Sequence, residues 1–243
     1  MSLPDGIESI GDYAFQHCGF TSITLPDTLT GIGDYAFVSC YLESITIPAA
    51  VESIGEYAFN GCGSLTTLTI NGSESIGDYA FMSCNSLTSV ALSDSLTSMG
   101  IYAFAYCTGL SSITIPENVE RIGGSAFAFC SALETVNISQ GVSEIGDYVF
   151  CSCTHLTSIQ IPSSVTSIDD LAFVNCESLE SVTFFGAPPT LGSYVFTTEV
   201  SSESFEPIPG LTIYYPEERT EWTDVIDSAP WNVYEFQVYS PYV

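Results

Sequence analysis

Lysine is absent from this chain, and Arg121 and Arg219 are its only arginines against 29 aspartates and glutamates, for a formal charge of −27. Nucleic acids and anionic membrane surfaces are bound by neutralising phosphates with Lys and Arg, so neither is an expected partner. Long hydrophobic runs are also missing. No stretch of about 18 apolar residues occurs, so no membrane insertion is expected, and no basic region followed by an apolar one marks a leader. Histidine is limited to His17 and His155, which fall in the first and seventh repeats described below. No Gly-x-Ser-x-Gly elbow or phosphate-binding loop appears, and without lysine there is no Schiff base. Catalysis needs convergent groups of tuned pKa, so an enzyme is the least expected class.

What is present is repetition. Ile-Gly-Asp-Tyr-Ala-Phe-x-x-Cys stands at Ile32 to Cys40 and returns in worn form, with anchors at Phe15, Phe37, Phe59, Phe81, Phe104, Phe127, Phe150, Phe173 and Phe196. The spacing is 22 residues three times and then 23 five times. A fixed period of this length is the signature of a solenoid, and the 46% hydrophobic content supplies a core for it. Leu3-Pro4-Asp5 aligns with Leu25-Pro26-Asp27, so the chain begins inside a repeat and reads as a segment of a longer protein.

Within each repeat, a segment such as Leu110-Ser111-Ser112-Ile113-Thr114-Ile115 ends in apolar-polar-apolar alternation rich in β-branched residues, which predicts a short strand. Eight such strands are expected to stack as one parallel sheet. Prolines at 26, 48, 116 and 162 end the strand, and inward residues such as Val51 and Ile54 line the return side. Gly-Asp-Tyr-Ala-Phe-x-x-Cys then reads as one helical turn with Asp as its N-cap.

The full pattern, Leu-x-x-Ile-x-Ile-Pro-x-x-Val-x-x-Ile-Gly-x-x-Ala-Phe-x-x-Cys, resembles the BspA-type, or Treponema-type, leucine-rich repeat of surface proteins from host-associated bacteria and some protists. The resemblance covers residues 3 to about 196. It implies a leucine-rich repeat solenoid, a right-handed curved coil with a concave parallel β-sheet and short helical, 3-10 or irregular segments on the convex side. It also implies an extracellular or cell-surface setting and adhesive, protein-binding use, with signal and anchor outside this segment.

Residues 3–196 are thus expected to form about nine coils, the first truncated, and residues 197–243 a C-terminal capping segment carrying Trp222 and Trp231. A terminal coil must cover the last apolar layer. The N-terminal end lacks such a cover and is a candidate for self-association.

Eight cysteines (Cys18, Cys40, Cys62, Cys84, Cys107, Cys130, Cys153, Cys176) share one repeat position. Stacked coils hold equivalent Cβ atoms about a rung apart, beyond the roughly 3.8 Å that a disulfide prefers, so a ladder of buried free thiols is expected. Cys151 lies off that ladder and is expected at the surface. A linear file does not converge on a metal, and no metal or cofactor is expected.

Two surfaces are candidates for binding. Outward strand positions give a hydroxyl-rich, uncharged concave face: Ser44, Thr46, Thr67, Thr69, Ser112, Thr114, Thr135, Asn137, Ser158 and Gln160. An aromatic edge is expected at Tyr35, Tyr57, Tyr79 and Tyr102, two residues before each Phe. The leading reading is a non-catalytic module for a protein or glycoprotein ligand. The rival is a structural spacer. A glycosidase pair, Glu134 and Glu180 on matching strand starts about 9.6 Å apart, is the third, with no aromatic residue expected on the concave face to hold a sugar.

Overall fold

The computed structural model describes residues 1–201 and 204–240. Two-residue and longer strands alternate along the chain: β1 (Ser9–Ile10), β2 (Gly31–Ile32), β3 (Ser44–Ile47), β4 (Ser53–Ile54), β5 (Thr67–Ile70), β6 (Ser75–Ile76), β7 (Ser89–Ala91), β8 (Ser98–Met99), β9 (Ser112–Ile115), β10 (Arg121–Ile122), β11 (Thr135–Ile138), β12 (Glu144–Ile145), β13 (Ser158–Ile161), β14 (Ser167–Ile168), β15 (Ser181–Phe184) and β16 (Thr190–Leu191). Then come β17 (Thr197–Ser201), β18 (Ser204–Pro207), β19 (Thr212–Pro216), α1 (Glu221–Val225), a 3-10 turn (Trp231–Val233) and β20 (Glu235–Tyr239). The molecule is a leucine-rich repeat solenoid, and each coil has three edges.

On the first edge the short strands β1, β2, β4, β6, β8, β10, β12, β14 and β16 make one parallel sheet of nine. Each except β16 buries its second residue, so Ile32 stacks on Ile54 and Ile122 on Ile145. From the second coil on, the glycine that follows all of these strands but β14 lies hard against the preceding coil. A Cβ on Gly55 would come within 2.6 Å of both the Asp34 carboxylate and the Gly33 carbonyl carbon.

The long strands form the second edge. Their Ile and Val side chains alternate inward, as Ile45 on Leu68 and Ile113 on Val136. One continuous sheet was expected here, but the strands fall into three parallel groups: β3–β5–β7, β9–β11 and β13–β15–β19–β20. The first coil contributes only a bridge between Ser2 and Thr24. Coils fastened along their other edges do not need this ladder, and backbone groups at a seam that faces water are satisfied by solvent.

The third edge corrects the expected helical turn. Tyr13, Tyr35, Tyr57, Tyr79, Tyr102, Ser125, Tyr148, Leu171 and Tyr194 all have φ between +54° and +59°, and in the first eight coils the residue four later is again left-handed, as at Ser39 (φ +55°) and Phe129 (φ +62°). This backbone turns every second N–H group toward the next coil. Tyr35, Phe37 and Ser39 donate to the carbonyls of Glu56, Ala58 and Asn60 in the next coil at 2.7 to 2.9 Å, and the pattern repeats along the array. A left-handed residue costs about 1–2 kcal/mol, which these intercoil bonds offset.

The expected N-cap role of Asp is overturned with the helix. Asp34 Oδ1 accepts from the backbone N–H of Glu56, one coil on, at 2.8 Å, and Asp12, Asp78, Asp147 and Asp170 repeat this contact. A carboxylate beside a rung of unspent N–H groups bonds across coils because its own turn offers no helical N-terminus.

Between the edges run files of identical side chains. The Phe rings stack at 4.9 to 5.7 Å from Phe15 to Phe196, and all but Phe15 are fully buried. Each such ring contributes about 1.5–3 kcal/mol through burial. All nine cysteines are free. Cys151 is buried rather than surface-placed: it joins Ala105, Ala128 and Val174 in a small second cluster outside the coil, because the left-handed turn folds the residue after Phe back under the edge.

Past Phe196, β17 and β18 pair antiparallel, while β19 and β20 extend the group begun by β13 and β15. Trp222 and Trp231 are buried against Phe184, with ring centroids at 5.0 and 5.6 Å, and Trp222 Nε1 donates to the Gly186 carbonyl at 2.9 Å. At the opposite end Leu3, Ile7 and Phe15 are only half-buried.

Candidate functional site

Parallel pairing places the outward residues of the long strands in register. Ser44 and Thr46 lie beside Thr67 and Thr69, Ser112 and Thr114 beside Thr135 and Asn137, and Ser158 and Gln160 beside Ser181 and Thr183. All ten residues named from the sequence share this face, and all are exposed except the half-buried Thr69. Short polar side chains one rung apart bond to one another, as Asn137 Nδ2 does to Thr114 Oγ1 at 3.3 Å.

The seams divide the face. Between β11 and β13, which lie side by side without a shared ladder, a groove of 360 Å³ opens. Glu134, Asn137, Gln140, Ser158 and Gln160 line it with amides, a hydroxyl and one carboxylate, and Phe185 closes one end. Ser163 Oγ donates to Gln140 Oε1 at 3.1 Å, which leaves the Gln140 NH₂ free to turn to a ligand. The Phe185 ring is 41% exposed and is propped edge-on by Tyr239, 6.1 Å away. The absence of any aromatic residue from this face, expected from the sequence, is therefore corrected. Phe185 stands where other coils carry the strand-ending proline, and an apolar ring at that position was the available signal. A second depression, of 430 Å³, lies between the first coils, lined by Ser22, Thr24, Asp27, Ser44, Thr46 and Asn71.

Glu134 and Glu180 do not share a site. Only Glu134 lines the groove, while Glu180 stands two coils on, its backbone N–H bonded to Thr157. His155 Nδ1 is engaged by the Ser131 carbonyl at 2.6 Å. Among the described residues no three of His, Cys, Asp and Glu converge on a common point, and no helix is long and apolar enough to cross a membrane.

The tyrosine row is a stack. From Tyr13 through Tyr35, Tyr57 and Tyr79 to Tyr102, ring centroids are 4.5 to 5.1 Å apart and nearly parallel. Partial desolvation raises the Tyr35 and Tyr57 hydroxyls above the ordinary phenol value, and the neighbouring phenols and carboxylates push the same way.

One cation stands among the repeats. Arg121 in β10 reaches Glu144 in β12 at 3.0 Å and Asp169, the residue after β14, at 3.3 Å. Desolvation raises the Asp169 carboxyl, the nearby Glu144 raises it further, and Arg121 opposes both. These groups are all partly exposed to water, which screens the pairs and leaves them a small contribution to stability.

The sequence model of the BspA type leucine-rich repeat region matches residues 1–75 and 74–203 with six copies. The chain belongs to this family. Among solved structures, the BspA-type array is similar to a leucine rich cell surface protein from Faecalibacterium prausnitzii A2-165, at 32% identity over 76% of this chain, with a TM-score of 0.52. The match takes in 59% of that protein, so the chain spans well under two thirds of its relative. It is also similar to the T. pallidum Leucine Rich Repeat protein, at 29% identity over 63% of this chain and 75% of that one, with a TM-score of 0.59. A leucine-rich repeat protein from Eubacterium ventriosum shares the fold at 22% identity and a TM-score of 0.52, over 88% of this chain and 59% of its own. No protein of curated function matches.

Proposed function

We propose that this array is a non-catalytic module displayed outside the cell, binding a protein or glycoprotein ligand through its long-strand face. The observation that carries the reading is the groove at the β11–β13 seam. In a molecule of charge −27 it gathers the amides of Asn137, Gln140 and Gln160 around an exposed phenyl ring. Amides and hydroxyls present both donors and acceptors to the hydroxyls of a glycan or the backbone of a peptide, and the ring offers a flat apolar platform. A single carboxylate without a second acid or base suits recognition rather than hydrolysis. The similarity to a bacterial cell surface protein supports an external setting.

The test is binding to immobilised host matrix proteins and glycans at near-physiological salt, which damps bare charge attraction. A saturable ligand is expected, with Phe185→Ala and Gln160→Ala each weakening it at least tenfold and leaving the unfolding transition cooperative. Thr69→Lys, away from the groove, should have a smaller effect. No ligand in such an array would favour a spacer that holds other domains away from the surface.

A further inference from the structure

The tyrosine stack stops at coil six, where Gly124-Ser125 stands in place of Asp-Tyr. The backbone does not change there. Ser125 has φ +58°, the value of its tyrosine counterparts, and the ladder runs through it: Tyr102 N–H donates to Gly124 at 3.0 Å and Ser125 N–H to Asp147 at 2.7 Å. What is missing is one ring.

Tyr102 and Tyr148 therefore stand two rungs apart, about 9.6 Å at about 4.8 Å per rung. A planar ring placed midway would lie at the spacing the protein's own tyrosines keep, 4.5 to 5.1 Å. Ser125, only 6% exposed, forms the bottom of this gap. The gap opens into a cavity of 510 Å³, floored by Ala128, Cys151 and Val174 and bounded by the exposed ring of Phe129. Glu199 stands at its far end, and the carboxylates of Asp147 and Asp170 act on Tyr148. The one cation of the repeats, Arg121, is already held by Glu144 and Asp169.

We infer that the gap at Ser125 is a binding slot for one aromatic side chain carried on a basic segment of a partner protein. The ring stacks between Tyr102 and Tyr148, and lysine or arginine beside it meets the acidic rim. Aromatic stacking selects the shape, and the charge of the rim selects against acidic sequences. This site lies off the long-strand face and stands or falls independently of it.

The probe is acetyl-Lys-Trp-Lys-amide, titrated into the full chain and followed by ring-current shifts of the Tyr102 and Tyr148 ring protons. Saturable shifts are expected, at least tenfold weaker for the alanine-centred and the glutamate-flanked peptides. Ser125→Tyr completes the stack with the protein's own ring. Seven coils already carry Tyr at this φ, and Leu171 shows that leucine is accepted as well, so Ser125→Leu serves as a second filling variant. Either should weaken binding at least tenfold and keep the melting temperature, while Thr114→Lys should leave binding unchanged. Equal binding by the alanine-centred peptide, or unchanged binding in both filled variants, overturns the slot. Equal binding by the glutamate-flanked peptide overturns the basic partner.

Discussion

The Cys84 thiol donates to the backbone carbonyl of Phe59, one coil earlier, at 3.4 Å. The contact recurs from Cys40 on Phe15 to Cys176 on Phe150, at 2.9 to 3.4 Å. Each Phe carbonyl also accepts the N–H of the cysteine in its own coil, as Phe59 does from Cys62 at 3.2 Å. Cysteine suits the position because it is small, apolar and still a weak donor, where alanine has no donor and serine is harder to bury.

Alkaline pH should unfold the protein steeply. Burial pushes the Cys62 and Cys130 thiols up to about 12, and holds those of Cys84, Cys107, Cys153 and Cys176 above the ordinary 9.0 as well. The folded state keeps protons that the unfolded chain gives up, so this stability is complete below about pH 9 and is lost as pH rises toward 12. Six thiols at about 1.4 kcal/mol per pH unit each amount to about 8 kcal/mol per unit once the unfolded thiols ionise. Urea midpoints at pH 7, 8 and 10 should be nearly flat between the first two and fall sharply at the third; a constant midpoint refutes the buried ladder.

Asp34→Ala should destabilise by about 1 kcal/mol, and Asp34→Asn, which keeps the acceptor, by less. The informative readout is hydrogen exchange. The Glu56 amide, bonded to Asp34 Oδ1 across coils, should exchange faster, whereas amides inside the Asp34 turn should not. The reverse pattern would restore a local capping role.

Trp222→Ala should cost about 3–5 kcal/mol, because the ring is fully buried against Phe184 and Trp231 and its N–H holds the Gly186 carbonyl. Chemical denaturation of the variant checks it, and a loss below 1 kcal/mol would show that the C-terminal aromatic cluster does not secure the last coil.

Side-chain periodicity made the inside of the coil legible, because Phe59, Ile54 and Leu65 recur with the period and period alone decides which residues stack. The backbone of the third edge was not legible. Tyr, Ser and Asn at left-handed φ carry no sequence mark, since intercoil bonding rather than local preference sets their conformation. The same cause misplaced Asp34 and Cys151, whose roles depend on how the turn runs. The outward residues from Ser44 to Gln160 followed from strand alternation. The groove among them did not, because a seam between β11 and β13 is a property of how coils pack and leaves Asn137 and Ser158 looking like any other strand residues.

The backbone-to-backbone bonds between coils on the third edge all run one way, each N–H pointing to the carbonyl of the C-terminal neighbour. The array consequently has a head and a tail that differ in chemistry. Each coil offers donors on one rim and carbonyls on the other, so a further coil fits between two neighbours in one orientation only, and one inserted backwards would set oxygen against oxygen on one side.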